Sequence, residues 1–148
     1  MQQPIVIDPA DAPPALNVVN EKLTVLVSGA QTGSYEIFHQ VGLEGKGPPP
    51  HSHPWDEAFY VLQGTMTFGA GDREFVARPG TFVHLPAGTT HWFRYGKGGG
   101  QVLSVTSREG ASLLFADIGR EISPDRPDPA KLVEIAGRYG AAIAGPPR

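Results

Sequence analysis

Two stretches of the chain decide its fold: GKGPPPHSHPWDEAFYVLQG at residues 45–64 and GTFVHLPAGTTHWFRY at residues 80–95. The first stretch holds two histidines at positions i and i+2, His51 and His53, followed by Glu57. On an extended chain, residues i and i+2 point to the same side, so two imidazoles face one way with a carboxylate nearby. This set suits a divalent transition metal such as Ni, Mn, Fe, Co or Zn. Pro54 interrupts the regular pleat, so alternation alone does not place Glu57.

Alternation becomes informative beyond Pro54. Glu57, Phe59 and Val61 share one face of the predicted strand, and residues 58, 60 and 62 share the other. Both faces are largely apolar, so we expect this strand to be covered on both sides.

The second stretch ends in a segment that alternates in the same way. His91, Phe93 and Tyr95 share one face. If His91 points at a metal, Phe93 and Tyr95 line the same cavity, and Phe59 faces it from the first stretch. We therefore take these three aromatic residues as candidates for a substrate pocket, with plain core packing as the alternative.

The rest of the chain predicts an all-β domain. Its 148 residues fit a single domain, and its 19 glycines and 15 prolines punctuate short apolar runs. Eight segments rich in β-branched or aromatic residues predict strands: 23–28, 34–43, 57–62, 65–68, 74–77, 81–85, 91–95 and 102–107. Residues 1–15 predict an irregular arm, and 145–148 a frayed tail.

Helical spacing appears only near the end of the sequence, in a segment at residues 111–140. Leu114, Ile118 and Ile122 recur at a spacing of four residues. A second helix is predicted to begin at the N-cap Asp128, with Pro129 in the first turn, and to end at Gly140.

Composition excludes several classes of function. The net charge is −3 and no cluster of Lys or Arg occurs, so we expect no nucleic-acid partner. The chain has no cysteine, which excludes disulfides and thiolate ligands. No apolar stretch reaches the ~20 residues of a membrane span, and the first residues lack the pattern of a signal peptide. We therefore expect a cytoplasmic protein without a membrane partner.

Both deciding stretches resemble the paired motifs of the cupin superfamily. Gly45-x5-His51-x-His53-x3-Glu57-x6-Gly64 matches the first motif, and Gly80-x5-Pro86-x-Gly88-x2-His91 matches the second. The second motif usually ends in Asn where this chain has Tyr95; that Asn is not a metal ligand, so the ligand positions are intact. The flanks, residues 53–64 and 128–147, resemble those of single-domain quercetinase-like cupins.

The resemblance implies a structure and a chemistry. The implied fold is an antiparallel jelly-roll barrel, or double-stranded β-helix. The implied ligands of one divalent metal ion are His51, His53, Glu57 and His91. Quercetinase-like enzymes open a flavonol ring with O2, which implies a dioxygenase acting on a small phenolic or flavonol-like molecule, with Glu57 as ligand and catalytic base.

Two other functions stay open at this point. One is a cupin isomerase or lyase acting on a small metabolite with the same ligands. The other is a non-catalytic, metal-containing barrel that binds a small molecule. His39 and His84 have no partner in the motifs, so we interpret them as ordinary strand residues. Compact cupins are commonly dimers, and the doubly apolar strand 57–62 is compatible with a homodimer.

Overall fold

The computed structural model describes residues 2–108 and 110–144. The predicted frayed tail, residues 145–148, lies outside the described residues. Residues 2–15 form no strand, and a single 3-10 turn occurs at Pro9–Asp11. The strands are β1 Leu16–Val18, β2 Glu21–Val27, β3 Tyr35–Gly42, β4 His51–Ser52, β5 Glu57–Gln63, β6 Met66–Ala70, β7 Arg73–Ala77, β8 Phe82–Leu85, β9 His91–Tyr95, β10 Gly100–Ser107 and β11 Ala142–Ile143. The helices are α1 Gly29–Thr32, α2 Gly110–Glu121 and α3 Pro129–Arg138.

The strands form two antiparallel sheets that face each other. One sheet has the order β1-β2-β3-β10-β5-β8 and the other β11-β4-β9-β6-β7. The predicted antiparallel jelly-roll barrel is confirmed, and each of the eight strands predicted from the sequence is present. The remaining strands, β1, β4 and β11, have two or three residues each, which is too short for alternation to reveal.

Aromatic rings fill the space between the sheets. Phe59 from one sheet lies 5.3 Å, between ring centroids, from both Phe68 and Phe93 of the other. Glycine makes the tight connection into β6 possible. Gly64 has φ +77°, and a Cβ there would lie 2.2 Å from the carbonyl oxygen of Gly99.

The outer face of β5 corrects one expectation. Phe59 and Val61 are buried, whereas Tyr60 is 48% and Leu62 44% exposed. Within the single chain the strand is therefore covered on one side, and the prediction that it is covered on both sides was wrong. The reason is that an antiparallel sheet packs one face on its partner sheet and leaves the other to solvent.

The helices pack against one end of the barrel. Leu114 and Ile118 of α2 and Ile135 of α3 join a buried cluster with residues of β2 and β3. Arg138 of α3 connects the two helices, since its guanidinium donates to Asp117 and Glu121 of α2. Among the described residues, no helix combines the length and the apolar character that a membrane-spanning segment needs.

The end of α3 turns the chain back toward the barrel. As predicted, the helix starts at the N-cap Asp128, whose carboxylate accepts from the Lys131 amide at 3.0 Å. It ends in a Schellman motif: Ala141 N–H donates to the Ala136 carbonyl at 3.0 Å, and Gly140 has φ +76°. The chain then pairs as β11 with β4, placing Ile143 opposite His51.

Candidate metal centre

Short strands at one end of the barrel bring three histidines together. His51 lies on β4 and pairs with His91, the first residue of β9. His53 follows β4 directly. One ligand atom from each of the three imidazoles lies within 4.8 Å of those of the other two. His53 and His91 are buried and His51 is half-buried, so the group is largely shielded from water.

Main-chain carbonyls orient all three rings in the same sense. The Nδ1 atom of His51 lies 2.7 Å from the Pro49 carbonyl oxygen, that of His53 3.0 Å from Trp55 O, and that of His91 2.8 Å from Thr89 O. A carbonyl only accepts, so each Nδ1 carries the proton and donates it. The neutral imidazole then presents the lone pair of Nε2, the arrangement by which proteins fix metal-binding histidines.

The Glu57 carboxylate lies beside two of the three imidazoles, outside the cluster that the histidines form. Its Oε1 lies 3.2 Å from Nε2 of both His53 and His91. Lone pairs facing a carboxylate repel one another unless a positive charge lies between them, either a proton or a metal ion. The donor set of imidazole nitrogen and carboxylate oxygen suits a divalent transition metal, so these residues fit such an ion.

The pKa values of His51, Glu57 and His91 show how burial and mutual contacts set the charge of the cluster. Burial, together with the charge of His91, lowers the pKa of His51 to about 3, so this ring is neutral near pH 7. Burial would raise the pKa of Glu57, but hydrogen bonds with His53 and His91 lower it to about 2. Burial also opposes a charge on His91, yet the hydrogen bond and the negative charge of Glu57 raise its pKa. The raised pKa of His91 thus favours a positive charge beside Glu57.

A small cavity of about 70 Å³ leads from His51, His53 and Glu57 into the barrel. Of the predicted pocket residues, Phe59 and Phe93 line it. Tyr95 is not among the lining residues. It lies behind the wall, 1% exposed, because its hydroxyl donates to Glu21 at 2.5 Å. The remaining wall is mostly apolar and comes largely from α2, α3 and the segment before β4.

An open groove of about 840 Å³ lies against the inner cavity. The two spaces share six lining residues: Val19, Glu21, Pro49, Ile118, Leu132 and Ile143. The groove continues along the connection between α2 and α3. Ligand pockets commonly have volumes of ~300–1,000 Å³, so a molecule larger than the inner cavity would extend into this groove.

Two polar residues of the cavity were not predicted from the sequence. Glu21 and Gln40 line it, and both are buried. The available signal was the strand period of two: Glu21 shares a face with the buried Leu23, and Gln40 shares one with the buried Phe38. The predicted strand began at Leu23, two residues too late to include Glu21.

The other residues singled out from the sequence lie away from the ligands or support them. His39 lies on the outer face of β3 and contacts Gln101 at 2.9 Å, and His84 is exposed on β8. Trp55 stacks on His53 with ring centroids 4.5 Å apart. Its buried indole N–H has no acceptor among the described residues.

Comparison with known proteins identifies the architecture. A cupin domain family model matches residues 39–106. The matched segment is a little under half of the chain and includes both sequence motifs. Over 63 residues it is 35% identical to quercetin 2,3-dioxygenase of Bacillus subtilis (strain 168). That alignment covers 42% of this chain and only 19% of the enzyme, so the chain spans a small part of its relative's length.

Solved structures support the same fold for this chain. KdgF from a Halomonas species superposes with a TM-score of 0.66 at 16% identity, covering 72% of this chain and 96% of that protein. A cupin sugar phosphate isomerase from Silicibacter pomeroyi superposes with a TM-score of 0.61 at 19% identity, covering 72% and 77%. At these identities the likeness shows the fold alone.

Proposed function

We propose that the cupin domain is a metal-dependent dioxygenase acting on a small phenolic or flavonol-like molecule. The observation that carries the proposal is the convergence of three imidazoles and Glu57 at the end of an apolar cavity. The partial similarity to a quercetin dioxygenase supports the choice of reaction. A single divalent metal ion is the proposed cofactor, held by His51, His53, His91 and Glu57.

The residues around the cavity have different roles in the proposed reaction. When bound, a divalent metal supplies a Lewis acid that holds a substrate oxygen and makes its proton more acidic. Glu57 is ionised at neutral pH and contacts two of the histidines, so it is placed to accept that proton. A phenol that has lost its proton is electron-rich, which is the form that reacts with O2. Phe59 and Phe93 present flat apolar walls to an aromatic ring.

Oxygen uptake tests the reaction class. The protein would be loaded separately with Ni, Mn, Co and Fe, and O2 consumption measured with a panel of flavonols and catechols. We expect uptake above the protein-free rate with at least one metal. Glu57→Gln should then lose more activity than bound metal, because the amide still offers an oxygen to the ion but cannot accept a proton. Absence of O2 uptake with every metal would end the dioxygenase proposal.

A cupin isomerase or lyase is the second candidate, and the size of the inner cavity favours it. About 70 Å³ suits a compact metabolite better than a complete flavonol, which must reach into the groove. Turnover of a small metabolite without O2 would distinguish this candidate. Metal and ligand binding without any turnover would favour a binding barrel.

The homodimer predicted from the sequence has a candidate surface. On β3, β10, β5 and β8 the outward side chains include Leu103, the half-exposed Tyr60 and the 64% exposed Phe82. None of the outward residues on these four strands is Asp, Glu, Lys or Arg. An uncharged face can contact a second copy of itself without repulsion, as a two-fold interface requires. Sedimentation analysis of the wild type and of Tyr60→Asp/Phe82→Asp tests this: we expect a dimer and a monomer. The cytoplasmic location stays a prediction from the sequence.

A further inference from the structure

Glu21 occupies a position in the cavity that the proposed chemistry does not use. It is the first residue of β2 and points inward in phase with Leu23, with 7% of its surface exposed. It lines both the inner cavity and the outer groove, so it lies where the two spaces meet. A molecule that reaches from the groove to His51 must pass this carboxyl group.

The groups around Glu21 are arranged as donors. Tyr95 donates to its Oε1 at 2.5 Å, and the Gln40 amide nitrogen lies 3.1 Å from both carboxyl oxygens. Ser104 in turn donates to the Gln40 carbonyl at 2.6 Å, which fixes the orientation of that amide. Tyr95 and Ser104 do not line the cavity, whereas Glu21 and Gln40 do. Residues of both sheets thus hold two polar groups at the cavity surface.

The surroundings favour a neutral carboxyl group. Burial raises the pKa of Glu21 to about 8, and the charge of Glu57 adds to this, while the hydrogen bonds from Tyr95 and Gln40 oppose it. The cavity-lining side chains of α2 and α3, among them Leu114 and Ile118, are apolar and offer no charge. The Gln40 amide nitrogen can only donate, so a proton on Glu21 needs an acceptor from elsewhere. The cavity is the space in which such an acceptor can sit.

We propose that Glu21 and Gln40 form a second polar subsite, which hydrogen-bonds an oxygen of the bound molecule at the end opposite the metal centre. This inference rests on the proposed function for the identity of that molecule. In the sheet register, Gln40 lies level with Val61, four residues along the strand direction from Glu57. Four residues span roughly 13 Å of backbone, and Phe59 lies between the two levels. The ligand class is therefore an apolar, flat molecule with oxygen functions at both ends.

Two flavonols that differ only at the far end test the subsite. Quercetin carries two hydroxyls on its pendant phenyl ring, and galangin differs from it only in lacking those two. Binding of each to the metal-loaded protein would be titrated by absorbance. We expect wild type to prefer quercetin by about ten-fold, the worth of roughly one hydrogen bond to a buried group. Glu21→Leu should reduce this preference for quercetin over galangin to about one-fold while leaving the metal content unchanged.

Further variants separate recognition from structural support. Tyr95→Phe keeps the buried ring and removes only the donor to Glu21, so it should weaken the preference even if Glu21→Leu does not fold. Glu36→Gln is the matched control, because Glu36 is also a fully buried glutamate but binds Thr106 and two main-chain amides outside the cavity. It should keep the preference for quercetin. If wild type and Tyr95→Phe prefer quercetin equally, the subsite proposal is wrong and the proposed function is unaffected. If wild type binds neither flavonol, both the subsite and the flavonol proposal are wrong.

Discussion

Removal of single imidazoles gives the sharpest test of the metal centre. The three imidazoles lie together and Glu57 is the proposed fourth donor, and each Nδ1 is held by a carbonyl, so a lost ring is not replaced by rotation of a neighbour. Structural zinc sites with four protein donors bind with ~10–16 kcal/mol, or about 3 kcal/mol for each donor, and we take this as the scale here. His51→Ala should therefore weaken metal binding by roughly 100-fold.

The structure also ranks the three variants. His53 and His91 each contact Glu57 Oε1 at 3.2 Å, whereas no such contact joins His51 to Glu57. Removing either of the first two frees the carboxylate as well as deleting a nitrogen donor. We expect His53→Ala and His91→Ala to lose more affinity than His51→Ala.

The assay is metal analysis of the purified variants together with competition against a chromophoric chelator. His39→Ala and His84→Ala are the matched controls, since both rings lie on the outer surface of the barrel and should leave binding unchanged. Full metal occupancy in the double variant His51→Ala/His53→Ala would refute the assignment of the ligands.

Three further results are expected. Metal affinity should fall as pH decreases from 7.5 to 5, because the raised pKa of His91 lets a proton compete with the metal ion for that ring. The pKa of His51 is about 3, so His51 should take up no proton in this range and fewer than three protons should be bound for each ion released. An affinity independent of pH would contradict histidine ligands. Chelation should lower the melting temperature but leave the far-UV signal of a β-protein, because the core between the sheets does not depend on the ion; loss of that signal would indicate a structural metal. Gly140→Ala should destabilise the protein by about 1–2 kcal/mol, because φ at Gly140 is +76° and the new Cβ would lie 3.2 Å from Pro54. Gly137→Ala is the control, because its new Cβ would meet open space inside α3. Equal melting temperatures for the two variants would show that the Schellman turn does not hold β11 in place.

Local patterns in the sequence were enough to predict an all-β domain, and the family resemblance implied that it is a jelly-roll barrel. Strands such as β5 and β9 are long enough for alternation to mark their inner faces, and glycines and prolines mark their ends. The histidines could be grouped because the motifs of a known family place them together. The N-cap at Asp128 is also a local signal, and it was read correctly.

What the sequence did not reveal depends on contacts between distant residues. β4 and β11 are two residues long; β11 pairs with β4, and β4 also pairs with β9. Tyr95 shares a face with Phe93, but alternation does not show that its hydroxyl reaches Glu21, 74 residues away. The outer face of β5 was misjudged because apolar residues on a strand do not tell whether a neighbouring layer covers them.

The carbonyls that orient the three histidines have a consequence for how such a protein can change over evolution. Pro49 and Thr89 contribute main-chain atoms, which every amino acid possesses, so substitutions there that keep the backbone path leave the orientation of His51 and His91 intact. Trp55 differs, because its side chain also stacks on His53. The cavity wall is built differently, from the side chains of helices and strands, and each replacement there alters its shape or polarity. Mutation can therefore change which molecule fits the cavity while the arrangement of the three imidazoles is inherited, so a lineage can alter its ligand without first losing this cluster.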